Sequence, residues 1–160
     1  MNEDEIDMLK NNFVKAYGTT LTGALLYKDK ILVVGIGDTE CLYLKDNKLY
    51  KVFELEDEPV ANTTYSMCQE DAYKYINVKV LNTKDVDGLF LCTDGLTNPY
   101  QSYDNFKEYF ISPLMNKIIK EKDLKYLYDF IDELAKKRGI GDDVSLSFII
   151  NDKCSSLYKE

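Results

Sequence analysis

Histidine is absent from all 160 residues. That excludes nucleophilic triads built on histidine, histidine–metal sites and a histidine general acid within the chain. Basic residues are in deficit: 20 Lys and Arg stand against 28 Asp and Glu, a net charge of −8. No basic stripe exists to displace counterions from phosphate, so neither nucleic acid nor an anionic membrane surface is expected as a partner. The acidic runs Glu3-Asp4-Glu5 and 54–58 read as solvated segments. No apolar run reaches the roughly 18 residues a membrane span needs, and the acidic N-terminus does not resemble a signal peptide. The four cysteines, Cys41, Cys68, Cys92 and Cys154, show no CxxC spacing. Reduced thiols and a cytoplasmic location are therefore expected. No internal repeat, low-complexity tract or linker interrupts the chain.

What is present is ordinary globular material, 45% apolar and 30% charged. A chain of this length makes one domain and can bury roughly 68–70% of its unfolded surface. Residues 3–15 read as an amphipathic helix, with Ile6, Leu9 and Phe13 on one face and acids in the first turn. The period then changes to two. Strands are expected at 19–27, 31–36, 41–44 and 48–53, the last two joined by Asp46-Asn47, a tight-turn pair. The short connections predict a β-meander over 18–53. Residues 54–75 read as a loop with a short helix near 70–74, and 76–82 alternates as a further strand. After the turn Asp85-Val86-Asp87-Gly88, residues 89–93 form a central strand. Helices follow: one at 104–110, a second started by Ser112 as N-cap with Pro113 at its first position, and a third capped by Asp123. The third carries the stripe Leu124, Leu127, Ile131, Leu134 and Ala135 and stops at Gly139. The last strand spans 143–150. The thirteen tyrosines read as half-buried packing residues with wet hydroxyls. The fold class is α+β, antiparallel strands with helices grouped against them.

Carboxylates sit where these strands end. Asp38 follows 31–36, Asp94 follows 89–93, and Asp142 and Asp143 precede 144–150. If the strands carrying Asp94 and Asp142 pair antiparallel, the end of one lies beside the start of the other, and the two acids converge. Converging carboxylates need a cation, a proton or an arginine to coexist. Oxygen donors without histidine or a thiolate cluster favour Mg²⁺ or Mn²⁺. Acids beside glycine are also the commonest turn formers, so it is the combination, not any one acid, that points to a metal.

Four segments then resemble successive motifs of the metal-dependent type 2C Ser/Thr protein phosphatases. They are Tyr17-Gly18-Thr19-Thr20-Leu21, Gly35-Ile36-Gly37-Asp38-Thr39, Leu91-Cys92-Thr93-Asp94-Gly95-Leu96, and 137–146 with Gly139-Ile140-Gly141-Asp142-Asp143-Val144 at its centre. Val60-Ala61-Asn62-Thr63-Thr64 is similar to the bacterial branch. The resemblance runs over about 18–150 of a single domain. It implies an antiparallel β-sandwich flanked by helices, with Asp94 and Asp142 holding a Mn²⁺ or Mg²⁺ ion, Gly95 and Asp143 in support, and Asp38 near an additional weaker site. Asn98 stands where many relatives carry an acid. The implied reaction is two-metal hydrolysis of phosphoserine or phosphothreonine in a phosphoprotein.

The chain also departs from that pattern. The family's N-terminal third normally brings the first strands of the sandwich, an Asp-Gly bridging both metals, and a phosphate-holding arginine. None has a counterpart here: Asp87-Gly88 precedes a strand, and the single arginine, Arg138, sits in a last helical turn where a cation favours the dipole. One expectation is therefore a phosphatase domain lacking its N-terminal strands, weak or inactive alone, whose open sheet surface invites a homodimer or strand complementation. The alternative is a non-catalytic phosphatase-like interaction module. A nucleotide loop at Gly35-x-Gly37 is disfavoured, because a strand follows where a helix N-terminus is required.

Overall fold

The computed structural model describes residues 6, 10, 13–14, 18–54, 64–133, 136 and 144–151. The expectations for 55–63, for Leu134, Ala135 and Gly139, for most of 3–15 and for Asp142 and Asp143 fall outside them. Among the described residues seven strands form two antiparallel sheets. One has the order β1-β2-β5, from Leu21–Tyr27, Lys30–Ile36 and Asn77–Asn82; the other has the order β4-β3-β6-β7, from Lys48–Lys51, Glu40–Lys45, Gly88–Cys92 and Leu146–Ile150. Helix α1 is the short Asp94–Thr97 turn. Helix α2 runs continuously over 103–121, and α3 spans Leu124–Glu133. Among the described residues no helix is long and apolar enough to cross a membrane.

Among the described residues three layers result. Alternation in β3 and β6 explains why both strands read as unbroken apolar runs, since each face is covered. Cys41 and Leu89 point between the sheets, packing with Ile31 and Val33 of β2. Leu42, Leu44, Phe90 and Cys92 point the other way, into a core with Leu96, Phe106, Phe110, Ile111, Leu114 and Met115 from the helices. The outer face of the three-stranded sheet is bare by contrast: Leu25, Tyr27, Val78 and Val80 are 61%, 65%, 60% and 58% exposed.

Two expectations need correction. The meander over 18–53 is split between sheets, for β2 pairs with β1 and β5 while β3 pairs with β4 and β6. The link 37–39 does not make a hairpin. Gly37, at φ +105°, turns the chain out of one layer and into the other, and there a Cβ would lie 2.2 Å from Thr20 Cγ2. Ser112 is not an N-cap either. It is helical (φ −65°, ψ −45°), and the cap of α2 is Ser102, whose hydroxyl accepts from the Asn105 N–H at 3.2 Å. Pro113 is accommodated in mid-helix by a wide turn over Lys107–Ile111, in which the Ser112 N–H donates to the Lys107 carbonyl five residues back. That register absorbs the missing proline N–H without a break. The Asp46-Asn47 turn and the Asp123 cap are as expected. The former pair has φ +50° and +60°, and the Asp123 carboxylate accepts from the N–H groups of Lys125 and Tyr126.

Cys41 and Cys92 are buried free thiols on opposite faces of one sheet. Removal from water pushes Cys41 up to about 11 and Cys92 up to about 12; the Thr22 hydroxyl opposes the first shift, and the Glu40 charge adds to both. Folding thus keeps protons that the unfolded chain would release. The corresponding stability is complete below about pH 9 and is lost as the pH climbs toward 11–12. The thiolate fractions fall accordingly. Alkylation of the folded chain near neutral pH, followed by peptide mass spectrometry, is expected to label half-buried Cys68 well before Cys41 or Cys92.

Candidate metal-binding rim

Backbone pairing brings the ends of three strands to one rim. Glu40 stands opposite Cys92, and Cys92 opposite Leu146. The start of β3, the end of β6 and the start of β7 are therefore neighbours. Beyond the ladder the contact continues: the Thr93 N–H donates to the Ser145 carbonyl at 3.2 Å, and the Ser145 N–H donates to Thr93 Oγ1 at 2.9 Å. The antiparallel pairing expected from the sequence is thus present up to the residue before Asp94. Asp142 and Asp143 lie outside the described residues.

Asp94 opens α1 and is half-buried. Its carbonyl accepts from the Asn98 N–H at 2.8 Å and from the Thr97 hydroxyl at 3.2 Å. Its carboxylate Oδ2 accepts from the Asn98 side-chain amide at 3.2 Å. Asn98, which stands in place of an acid, is thus an orienting donor for Asp94. Gly95 is buried in the same turn. Asp38, two residues before β3, is exposed and accepts from the Thr64 hydroxyl at 2.9 Å. It lines a cleft of about 260 Å³ together with Glu40, Lys51, Glu54 and Asn77.

Sequence reasoning missed a second polar group at this rim. Glu40, the first residue of β3, accepts from the Tyr103 hydroxyl at 2.7 Å and lies 3.8 Å from Lys51 Nζ, which also sits 5.1 Å over the Tyr103 ring. This brace ties the start of α2 to β3 and so fixes both ends of the loop that carries Asp94. Burial pushes the Tyr103 phenol up, reinforced by Glu40 and opposed by Lys51. An acid heading an otherwise apolar strand was the available signal. Oxygen donors at this rim suit a hard cation. Their number falls short: among the described residues no three acidic, thiol or imidazole groups gather closely enough to hold a metal ion.

The sequence matches the family model for protein phosphatase 2C over residues 4–132. No curated protein matches it significantly. Among solved structures it is similar to a bacterial serine phosphatase, at 16% identity and a TM-score of 0.59, covering 86% of this chain and 64% of that one. It is similar also to the serine/threonine phosphatase Stp1 of Staphylococcus aureus, at 15% identity and a TM-score of 0.57, covering 94% and 70%. A third is the catalytic domain of the serine threonine protein phosphatase PstP in complex with two manganese ions, at 18% identity and a TM-score of 0.56, covering 85% and 64%. At such identities the likeness is one of fold, and the chain spans about two thirds of the length of these structures.

Proposed function

Because the chain belongs to the protein phosphatase 2C family, we propose that it forms the larger part of a cytoplasmic, metal-dependent phosphatase domain acting on phosphoserine and phosphothreonine in proteins. The observation that carries this reading is the β6–β7 ladder, which extends through Thr93 and Ser145 to the turn that begins with Asp94. Asp142 precedes Val144 by two residues and is the second carboxylate of the reading, with Asp143 and Gly95 in support. Asp38 is the acid of an additional, weaker site.

Mn²⁺ or Mg²⁺, when bound, makes water acidic enough to attack phosphorus and offsets charge on the phosphoryl oxygens. The residues of this chain do the positioning. Asn98 orients the Asp94 carboxylate, Thr64 orients Asp38, and the Glu40–Tyr103–Lys51 brace holds the loop between β6 and α2. The family's metal-bridging Asp-Gly has no counterpart in the sequence, so the chain alone is expected to hold Mn²⁺ weakly and to turn over little or not at all.

The test is release of phosphate from a phosphothreonine peptide with Mn²⁺, by the chain alone and by a longer polypeptide that adds the upstream third of the family fold. Mn²⁺-dependent release by the longer polypeptide upholds the reading. Its absence under every condition leaves a non-catalytic interaction module.

A further inference from the structure

Asp38 lies on the link between β2 and β3, is exposed, and belongs to neither strand. A carboxylate on a short exposed link keeps one direction only if its neighbours hold it there, against the entropy of the alternatives. Here the neighbours come from two other places in the sequence, 19–20 and 64–67.

The first hold is on the residues either side of Asp38. Gly37 has φ +105°. A β-carbon at 37 would lie 2.2 Å from Thr20 Cγ2, 2.5 Å from Thr20 Cβ and 3.1 Å from the Tyr65 carbonyl oxygen. The Thr20 side chain therefore packs directly on the Gly37 backbone, in space that only glycine leaves open. On the other side of Asp38, the Thr39 hydroxyl donates to Thr20 Oγ1 at 3.3 Å. Thr20 thus meets both flanking residues, one through its methyl and one through its hydroxyl. Because threonine is branched at Cβ, that methyl is stiffly placed.

The second hold is on the carboxylate itself. The Thr64 hydroxyl donates to Asp38 Oδ2 at 2.9 Å. Its own segment is tied down at two points. The Met67 N–H and the Ser66 hydroxyl both donate to the Thr19 carbonyl, at 2.9 and 3.0 Å, and the Tyr65 ring stacks on Tyr75 with centroids 3.9 Å apart. Thr19 anchors the segment that holds the carboxylate, and Thr20 packs on the link that presents it.

We propose that Thr20 is a positioning residue for Asp38: its methyl is a wedge against Gly37 that sets the direction in which the link presents the carboxylate. The use of that direction, to hold the ion of the additional site, rests on the phosphatase reading. The wedge itself needs no metal.

The test uses the full 160-residue chain and two variants, with circular dichroism to check that each is folded. Thr20→Ala removes the methyl and the hydroxyl; Thr20→Val keeps a methyl in the wedge and removes only the hydroxyl. Backbone order parameters of 37–39, from ¹⁵N relaxation without metal, are expected near the rigid value of about 0.85 in the parent and in Thr20→Val, and to fall toward about 0.6 in Thr20→Ala. Mg²⁺ alone is then titrated against the Asp38 amide signal. Its midpoint is expected to rise by roughly 10-fold in Thr20→Ala, the usual scale for losing an orienting partner, and to stay at the parent's value in Thr20→Val. Should Thr20→Ala unfold, Thr20→Ser, which removes the methyl alone, takes its place. Loosening and weaker Mg²⁺ binding in Thr20→Ala, with neither in Thr20→Val, uphold the inference. It is overturned if Thr20→Ala leaves 37–39 as ordered as in the parent, if Thr20→Val loosens the link as much as Thr20→Ala, or if the link loosens while the Mg²⁺ midpoint stays put. If Mg²⁺ moves the Asp38 signal in no chain, the parent included, the additional site drops out of the phosphatase reading and the order parameters alone decide the wedge.

Discussion

Asp94→Asn is expected to reduce Mn²⁺-dependent phosphate release by well over 100-fold in the polypeptide that carries the whole family fold. The substitution is nearly isosteric. Asn keeps the size and one acceptor oxygen, so the hydrogen bond from Asn98 survives, and it sits where the backbone of α1 is held by Asn98 N–H and the Thr97 hydroxyl rather than by the carboxylate. Folding is therefore preserved, and thermal unfolding should shift by no more than about 0.5 kcal/mol, as for substitutions away from a core. What is lost is the anionic charge that a hard cation requires. Asn98→Ala gives the graded counterpart. It removes a donor that aims the carboxylate without touching the charge, and loss of such an orienting partner costs roughly 10–100-fold. The ranking is the informative result: Asp94→Asn below Asn98→Ala, and both below the parent at equal Tm. Undiminished turnover in Asp94→Asn would remove Asp94 from the site and the phosphatase reading with it.

How much of this was legible in the sequence depends on the range of the force involved. Period-two alternation and tight-turn chemistry are local, and they located the strands, the Asp46-Asn47 turn and the Asp123 cap. The β6–β7 pairing, separated by more than fifty residues, was also legible, because each strand is apolar and ends on polar turn residues. The split of 18–53 into two sheets was not. A three-residue link reads as a hairpin unless one knows that both faces of β3 will be buried, by β2 on one side and α2 on the other. Nor was the unbroken course of α2, since serine before proline is a helix start by local rules, and only the surrounding packing of Phe110, Ile111, Leu114 and Met115 carries the helix through the proline. Of the candidate site, the acids at strand ends were legible as punctuation. The Glu40–Tyr103–Lys51 brace was not, because it joins residues 63 apart and rests on tertiary geometry alone.

Phe90→Ala is expected to destabilise the chain by about 3–5 kcal/mol, the cost of deleting a buried ring that its surroundings cannot replace. Phe90 is 0% exposed at the middle of the central strand. Its strand partners are Leu42 on one side and Phe148 on the other. Its ring lies over Gly88, where even a Cβ would come within 3.1 Å, so this glycine is the space into which the ring packs. The layer above is α2, whose Phe106, Phe110, Ile111, Leu114 and Met115 are all nearly or fully buried. A helix resting on a sheet at so many points cannot sink to close the hole, which is why the loss should reach the upper part of the range. Against a total stability of about 5–15 kcal/mol, that removes a large share. Urea unfolding should show a lower midpoint at constant slope, and heating a fall in Tm on the order of 6–20 °C. Leu25→Ala is the control: it deletes a similar apolar side chain that is 61% exposed on the outer face of the three-stranded sheet, and its shift should stay near 0.5 kcal/mol. Equal effects from the two would mean that the helical layer does not bear on the sheet. The same contact has a functional consequence. Asp94 is four residues beyond Phe90 and is fixed from below by the β6 backbone and from above by α1, whose Leu96 belongs to the same core. Loosening that core therefore loosens the carboxylate, and Phe90→Ala should weaken Mn²⁺ binding at temperatures where the chain is still folded.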